Sequence, residues 1–398
     1  MAIDTTNIQA AIAAKIAAED SAVTALELLQ YGVGLSEYGA SQYYTSADSL
    51  PTADNDLKGM IALVYTGDLT TGNGLYLCTG TEWFEMQDLD SAAPYSFQGS
   101  NFGYVSGGFV TTPSSGAVNT IEKFSFTSDG NASDIADLSS DRQSSAGQSS
   151  STHGYTSGGQ NPILGEVTTI DKFPFSTDTN ATNVADISIA RNWCEGQNSS
   201  ENGYTSGGSS PFPINPATYS NVIDKFPFAS DANASDVGDL SGIKYKTAGQ
   251  SSSENGYVSG GSQGGPSTNV IDKFPFASDA NAIDIADLSV GRYSPFGQSS
   301  TVSGYASGGV SGGPPFITQN VIDKFPFASD TNASDVGDLT VARGHGAAQS
   351  STVSGYTSGG MSPFSNVIDK FPFTSDTNAS DVGDLTRAIT NKPAGQQY

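Results

Sequence analysis

Cysteine is almost missing: Cys78 and Cys194 are the two in 398 residues, far apart, and imply no disulfide framework. Histidine is as scarce. His153 and His345 cannot supply a Ser/His/Asp set, and no Cys/His cluster has zinc spacing. Positive charge is thin, with 16 Lys and Arg against 41 Asp and Glu, a net charge of −25. Such a chain repels phosphate backbones, so nucleic acid is excluded as a partner and anionic lipid is disfavoured. No apolar run reaches the length of a bilayer span, which excludes membrane insertion. The N-terminus, Met1-Ala2-Ile3-Asp4, has no basic n-region and no apolar h-region, hence no signal peptide, and implies folding in a cytoplasm. No Gly-rich phosphate loop precedes a helix. Catalytic carboxylate pairs are not evident either, because the Asp residues recur in every repeat.

What is abundant is Gly, Ser, Thr, Asn and Asp, with aromatics at 10%. Low hydrophobicity (36%) would suit disorder, but the aromatics fall at regular intervals. Gly-Tyr-x-Ser-Gly-Gly occurs six times, with tyrosines at Tyr104, Tyr155, Tyr204, Tyr257, Tyr305 and Tyr356, in steps of 51, 49, 53, 48 and 51 residues. Each copy is followed by Ile-Asp/Glu-Lys-Phe-Pro/Ser-Phe, starting at Ile121, Ile170, Ile223, Ile271, Ile322 and Ile368. An Asp-Val/Ile-Ala/Gly-Asp-Leu/Ile string comes next, and Gly-Gln-Ser-Ser precedes the next Gly-Tyr. Each period reads as four strands: a (Gln-Ser-Ser), b (Gly-Tyr), c (Lys-Phe-Pro-Phe) and d (Asp-Leu). Ser-Asp-x-Asn-Ala forms the turn between c and d. Proline inside strand c predicts a local break in pairing. One such unit cannot bury both its faces, so the units must stack radially. The expected fold is mainly β: a six-bladed propeller over 94–398, preceded by a short α-helix (1–34) and a small β-rich attachment module (35–93). An a-like segment stands at each end, at 97–100 and 394–398, and one of the two should close the ring.

In an up-and-down blade the a–b and c–d turns share one face of the disc, and these turns barely vary. The opposite face carries b–c loops at 109–120, 160–169, 209–221, 262–269 and 310–320, and d–a links such as Arg191-Asn192-Trp193, Lys244-Tyr245-Lys246 and Arg343-Gly344-His345. All of these vary. Variable loops on a fixed scaffold are where binding residues concentrate. The candidates there are Trp193, Phe212, Tyr219, Tyr245, Tyr293, Phe316 and Phe364, since aromatic rings stack on sugars and anchor protein interfaces. A basic residue opens each d–a link: Arg142, Arg191, Lys244, Arg292, Arg343 and, less well aligned, Arg387. One per blade near the axis could bond neighbouring carbonyls. Asp231, Asn233 and Asp236 have calcium-loop-like spacing, repeated in the other units, but lack the glycine and distal glutamate of an EF-hand loop. No cofactor is expected, with calcium at these turns as the exception to test.

Residues 7–30 are alanine-rich and free of Gly and Pro, with Asn7 as a cap and Gly32 as a stop. Ile12, Ile16, Val23 and Leu26 fit heptad positions, with Glu19 interrupting, so a docking helix or the stem of a homo-oligomer is expected. Residues 59–65 read as a strand, and 74–78 with 82–84 as a hairpin.

The Gly-Gly doublet, the aromatic-proline step in strand c and the basic residue opening the next link resemble the kelch-type propeller family. Leu138, Ile187, Leu240, Leu288, Leu339 and Leu385 stand in place of that family's strand-d tryptophan. Gly-Tyr-x-Ser-Gly-Gly with Lys-Phe-Pro-Phe, after a small N-terminal module, also resembles tail-fibre and appendage structural proteins of marine tailed bacteriophages of cyanophage type. That resemblance implies a non-enzymatic virion protein, assembled in the host bacterial cytoplasm. Its N-terminal region would bind other virion proteins, and its propeller would serve host recognition by binding a host cell-surface glycan or protein. The alternatives are a purely structural virion scaffold making only protein-protein interactions, and a polysaccharide-degrading enzyme.

Overall fold

The computed structural model describes residues 98–398 apart from 113, 211–217 and 313–314, together with short stretches between 42 and 88. The expected helix of the first thirty-four residues lies outside the described residues. The chain divides into two compact units, Met1–Pro94 and Tyr95–Tyr398.

In the first unit Gln42–Tyr44 pairs parallel with Ile61–Val64, which pairs antiparallel with Gly74–Cys78, itself antiparallel to Trp83–Asp88. Ala62 and Cys78 are buried.

The second unit is all β, built from repeated four-stranded antiparallel sheets in the β-propeller arrangement. One sheet serves as example. Ala146–Ser149 (strand a) pairs with His153–Ser157 (b), which pairs with Thr169–Pro174 (c), which pairs with Thr182–Asp186 (d). Its counterparts begin with the a strands Glu195–Asn198, Ala248–Ser251, Phe296–Ser299 and Ala347–Ser350. The first sheet in the chain draws its a strand from the C-terminus, where Ala394–Gln397 pairs antiparallel with Phe102–Ser106. The N-terminal a-like segment instead makes one isolated bridge, Gly99 to Ser351. The a strands touch in cyclic order, the C-terminal one contacting both the second and the last sheet.

Each motif residue has a packing task. Tyr155 is buried and lies against two phenylalanines of the next unit, 5.5 Å from Phe226 and 4.9 Å from Phe228. The same contact recurs until Tyr356 meets Phe124 and Phe126 of the first unit. The glycine before each tyrosine makes room for a ring: a Cβ at Gly154 would stand 2.3 Å from Phe173. The motif serine, such as Ser157, is buried and accepts a 2.8 Å bond from Gln148 Nε2, which also donates to the Tyr204 carbonyl of the neighbouring unit. The strand-d leucines and Ile187 fill the space between sheets and are all buried.

The expected break at the strand-c proline occurs on the strand-d side alone. Pro174 pairs with His153, and the register shift falls between Ile170 and Asp171. Pairing to strand d ends at Lys172, so the proline needs no N–H on that side.

The basic residues of the links are fully buried ion-pair partners. Arg142 meets Asp171 at 2.8 Å, Arg191 meets Asp224, Lys244 meets Asp272, Arg292 meets Asp323 and Arg343 meets Asp369. Four of them also donate to carbonyls of the next unit, as Arg191 does to Thr205 at 2.8 Å. Arg387 is not the sixth member. Counting from the strand-d leucine, Ile389 occupies that place, while Arg387 lies on the surface 3.9 Å from Asp134. The facing carboxylate is Glu122, fully buried, which accepts bonds from the backbone N–H and hydroxyl of Thr386.

The c–d turns are clamps between units rather than open metal loops. Asp231 pairs with Lys172 at 2.9 Å, Asn233 Oδ1 accepts from the N–H of Asp186, and Asp236 accepts from Gly238. One oxygen of each is thus engaged in holding the turn. Among the described residues no group of three His, Cys, Asp or Glu side chains converges as a metal site.

Candidate functional site

The d–a links and the Gly-Gly turns come together on one face, as where Gly108 donates to the Arg142 carbonyl. Two residues past each buried basic position the backbone turns to positive φ, at Ser144, Trp193, Lys246, Ser294 and His345, and in the last link at Asn391 and Lys392. These residues join in a closed ring of backbone bonds. Trp193 donates to Ser144, Lys246 to Trp193, Ser294 to Lys246, His345 to Ser294, Lys392 to His345 and Ser144 to Asn391. Non-glycine residues rarely hold this conformation, and here the ring holds six or more of them at once.

The ring sets the side chains of Trp193, Lys246, His345 and Lys392 beside one another. Lys392 reaches into the central channel, where its Nζ donates to the Cys194 carbonyl (2.7 Å) and the Thr247 carbonyl (3.2 Å) and pairs with Glu195 at 2.6 Å. The channel cavity that Lys392 borders holds about 60 Å³, and is lined by polar side chains such as Ser149, Asn198 and Gln250. Lys246 Nζ lies over rings, 4.4 Å from the centroid of Trp193, 5.3 Å from Tyr293 and 5.7 Å from Tyr245. Burial and the charge of Lys392 lower its pKa. His345 is buried, edge-on to Trp193 at 5.4 Å and to Tyr293 at 5.9 Å. Burial, then Lys246 and Lys392, hold its pKa at about 3, so the imidazole is neutral at pH 7, and its Nδ1 has no hydrogen-bond partner. Cys194 below is fully buried with its thiol pKa pushed up by burial, an inert group at neutral pH.

Of the seven aromatic candidates, five form one chain of contacts. Tyr219 stacks on Tyr245 at 4.5 Å, and Lys246 bridges Tyr245, Trp193 and Tyr293. Phe316 stands edge-on to Tyr293 at 6.3 Å and is itself exposed. Phe364 is exposed and outside this chain of rings. Phe212 lies outside the described residues. Lys246, His345, Lys392 and Glu195 were not among the sequence candidates. For Lys246 and His345 the one available signal was that the residue two past the basic position varies between copies, as Ser, Trp, Lys, Ser, His or Asn; Lys392 and Glu195 do not stand at that position.

No family model and no curated protein matches the chain. Among solved structures the fold is similar to that described as the structure of YjhT, with 12% identity and a TM-score of 0.55, over 72% of this chain and 99% of that one. At that identity the likeness is one of fold. It corrects the expected resemblance to kelch-type and phage tail-fibre proteins: the match is to YjhT, and the assignment as a virion appendage falls. The physical reason is that Gly-Tyr-x-Ser-Gly-Gly and Lys-Phe-Pro-Phe, which carried the resemblance, are spent on packing between sheets. The non-enzymatic virion role and the exclusion of catalysis fall with it. That exclusion rested on missing linear motifs, whereas Lys246, His345 and Lys392 come from three separate links.

Proposed function

We propose that the second unit is a closed six-bladed propeller that binds a saccharide over the axial aromatic cluster of its variable face. The observation that carries this reading is the convergence of Trp193, Tyr245 and Tyr293, from three different links, around a half-buried lysine and a neutral histidine. Flat apolar rings beside a few directed polar groups are what a sugar ring requires. Titration calorimetry of the full chain against neutral and acidic oligosaccharides tests it. Trp193→Ala and Tyr293→Ala should each weaken binding about tenfold or more, the usual cost of an aromatic anchor. Val302→Ala, at an exposed a–b turn on the opposite face, should leave it unchanged. Full affinity in both aromatic variants would overturn the assignment.

A further inference from the structure

Of the chain's sixteen Lys and Arg residues, Lys15 and Lys58 lie outside the described residues, and thirteen of the others have a carboxylate within 4 Å. Among the described residues Lys246 is the one without. In a protein with 41 acidic residues this is a notable omission, since carboxylates were available for every other described cation. Lys246 is only half-exposed, and its ammonium is met by aromatic faces alone. Rings stabilise a cation without neutralising it. Lys392, next to it, is already satisfied by Glu195 and two carbonyls. Beside both lies His345, 8% exposed, with an unpartnered Nδ1. A positive group in a partly desolvated site, with no internal counter-ion, attracts an external anion strongly.

We infer that the ligand of the axial site carries a carboxylate that pairs with Lys246, while its ring lies against Trp193 or Tyr293. The inference rests on the saccharide reading above and narrows it to acidic sugars. The carboxylate supplies the ion-pair partner that Lys246, alone among the described cations, lacks, and the neutral imidazole beside it adds no third positive charge.

The test compares two probes that differ in the acid group, tri-galacturonate and galactotriose, titrated into the full chain at 50 and 500 mM salt. Tri-galacturonate should bind at least tenfold more tightly at low salt, with most of that preference lost at high salt. Lys246→Met should abolish the preference and retain galactotriose binding, whereas Lys246→Arg should keep it. Equal affinity for the two probes in the wild type, or an undiminished preference in Lys246→Met, overturns the inference and leaves the saccharide reading standing. Binding of neither probe overturns both. A matching thermal melt of Lys246→Met separates lost recognition from lost folding, and Lys246→Gln serves if the Met variant melts early.

Discussion

Glu122 is the side chain whose chemistry differs most from that of its equivalents. Five aspartates at its place face a buried cation, whereas the last link carries Ile389 at the cation's position and Glu122 bonds Thr386 instead. Burial raises its pKa, and the two bonds from Thr386, together with Arg387, only partly oppose this, with Asp134 adding to the rise. A carboxyl held above its unfolded value, about 4.3, favours folding fully below that pH. The contribution is lost as pH rises through the folded value. His345 runs the other way. Its pKa is depressed, so its neutral form is stable above the unfolded value near 6.5, and stability falls as pH drops from there towards about 3. Glu122→Gln should therefore raise the melting temperature at pH 7–8, by roughly 1 kcal/mol or about 2 °C for a domain of this size, and give no gain at pH 4. His345→Asn should flatten the acid limb between pH 6 and 4. Thermal melts across pH 4–8 decide both, and an unchanged profile in either variant would remove its group from the explanation.

At the scale of the strand, the innermost segments pack backbone against backbone. A Cβ at Gly196 would stand 2.0 Å from the Gly147 carbonyl oxygen, and one at Gly147 would stand 2.2 Å from that of Gly395. Gly196→Ala should cost about 1–3 kcal/mol by overpacking. Gly116→Ala, where nothing lies within 4 Å, should be near neutral, and chemical denaturation distinguishes them. The four-stranded repeat was legible in the sequence because the same contacts recur in each copy: Tyr155 on Phe226 and Phe228 is Tyr204 on Phe274 and Phe276 one unit later. The aromatic chain was partly legible, since Trp193, Tyr245 and Tyr293 fall in links that break the pattern. Lys246, His345 and Lys392 were not. Each acquires its meaning only when a ring of backbone bonds sets three links side by side, and no spacing along the chain encodes that. Arg387 was misplaced because the last link departs from the others: it has Ile389 at the cation's position and one more residue before strand a.

For the molecule as a whole, the strand that completes the first sheet is supplied by Ala394–Gln397, and the contacts of every unit close on the next. Removing residues 394–398 should leave Phe102–Ser106 with an unpaired edge and expose the flank of the last unit. The truncated chain should melt early and with reduced cooperativity by circular dichroism. Retention of the full melting temperature without residues 394–398 would count against closure by this strand.

That arrangement also has a timetable. On a ribosome the edge of Phe102–Ser106 appears 288 residues before its partner strand begins. At about 5–20 residues per second, it waits roughly 15–60 s with its ladder groups open to other chains. The open edge thus persists through almost the whole synthesis of the second unit, and slowing translation anywhere between residues 107 and 393 should lower the soluble yield more than slowing it before residue 102.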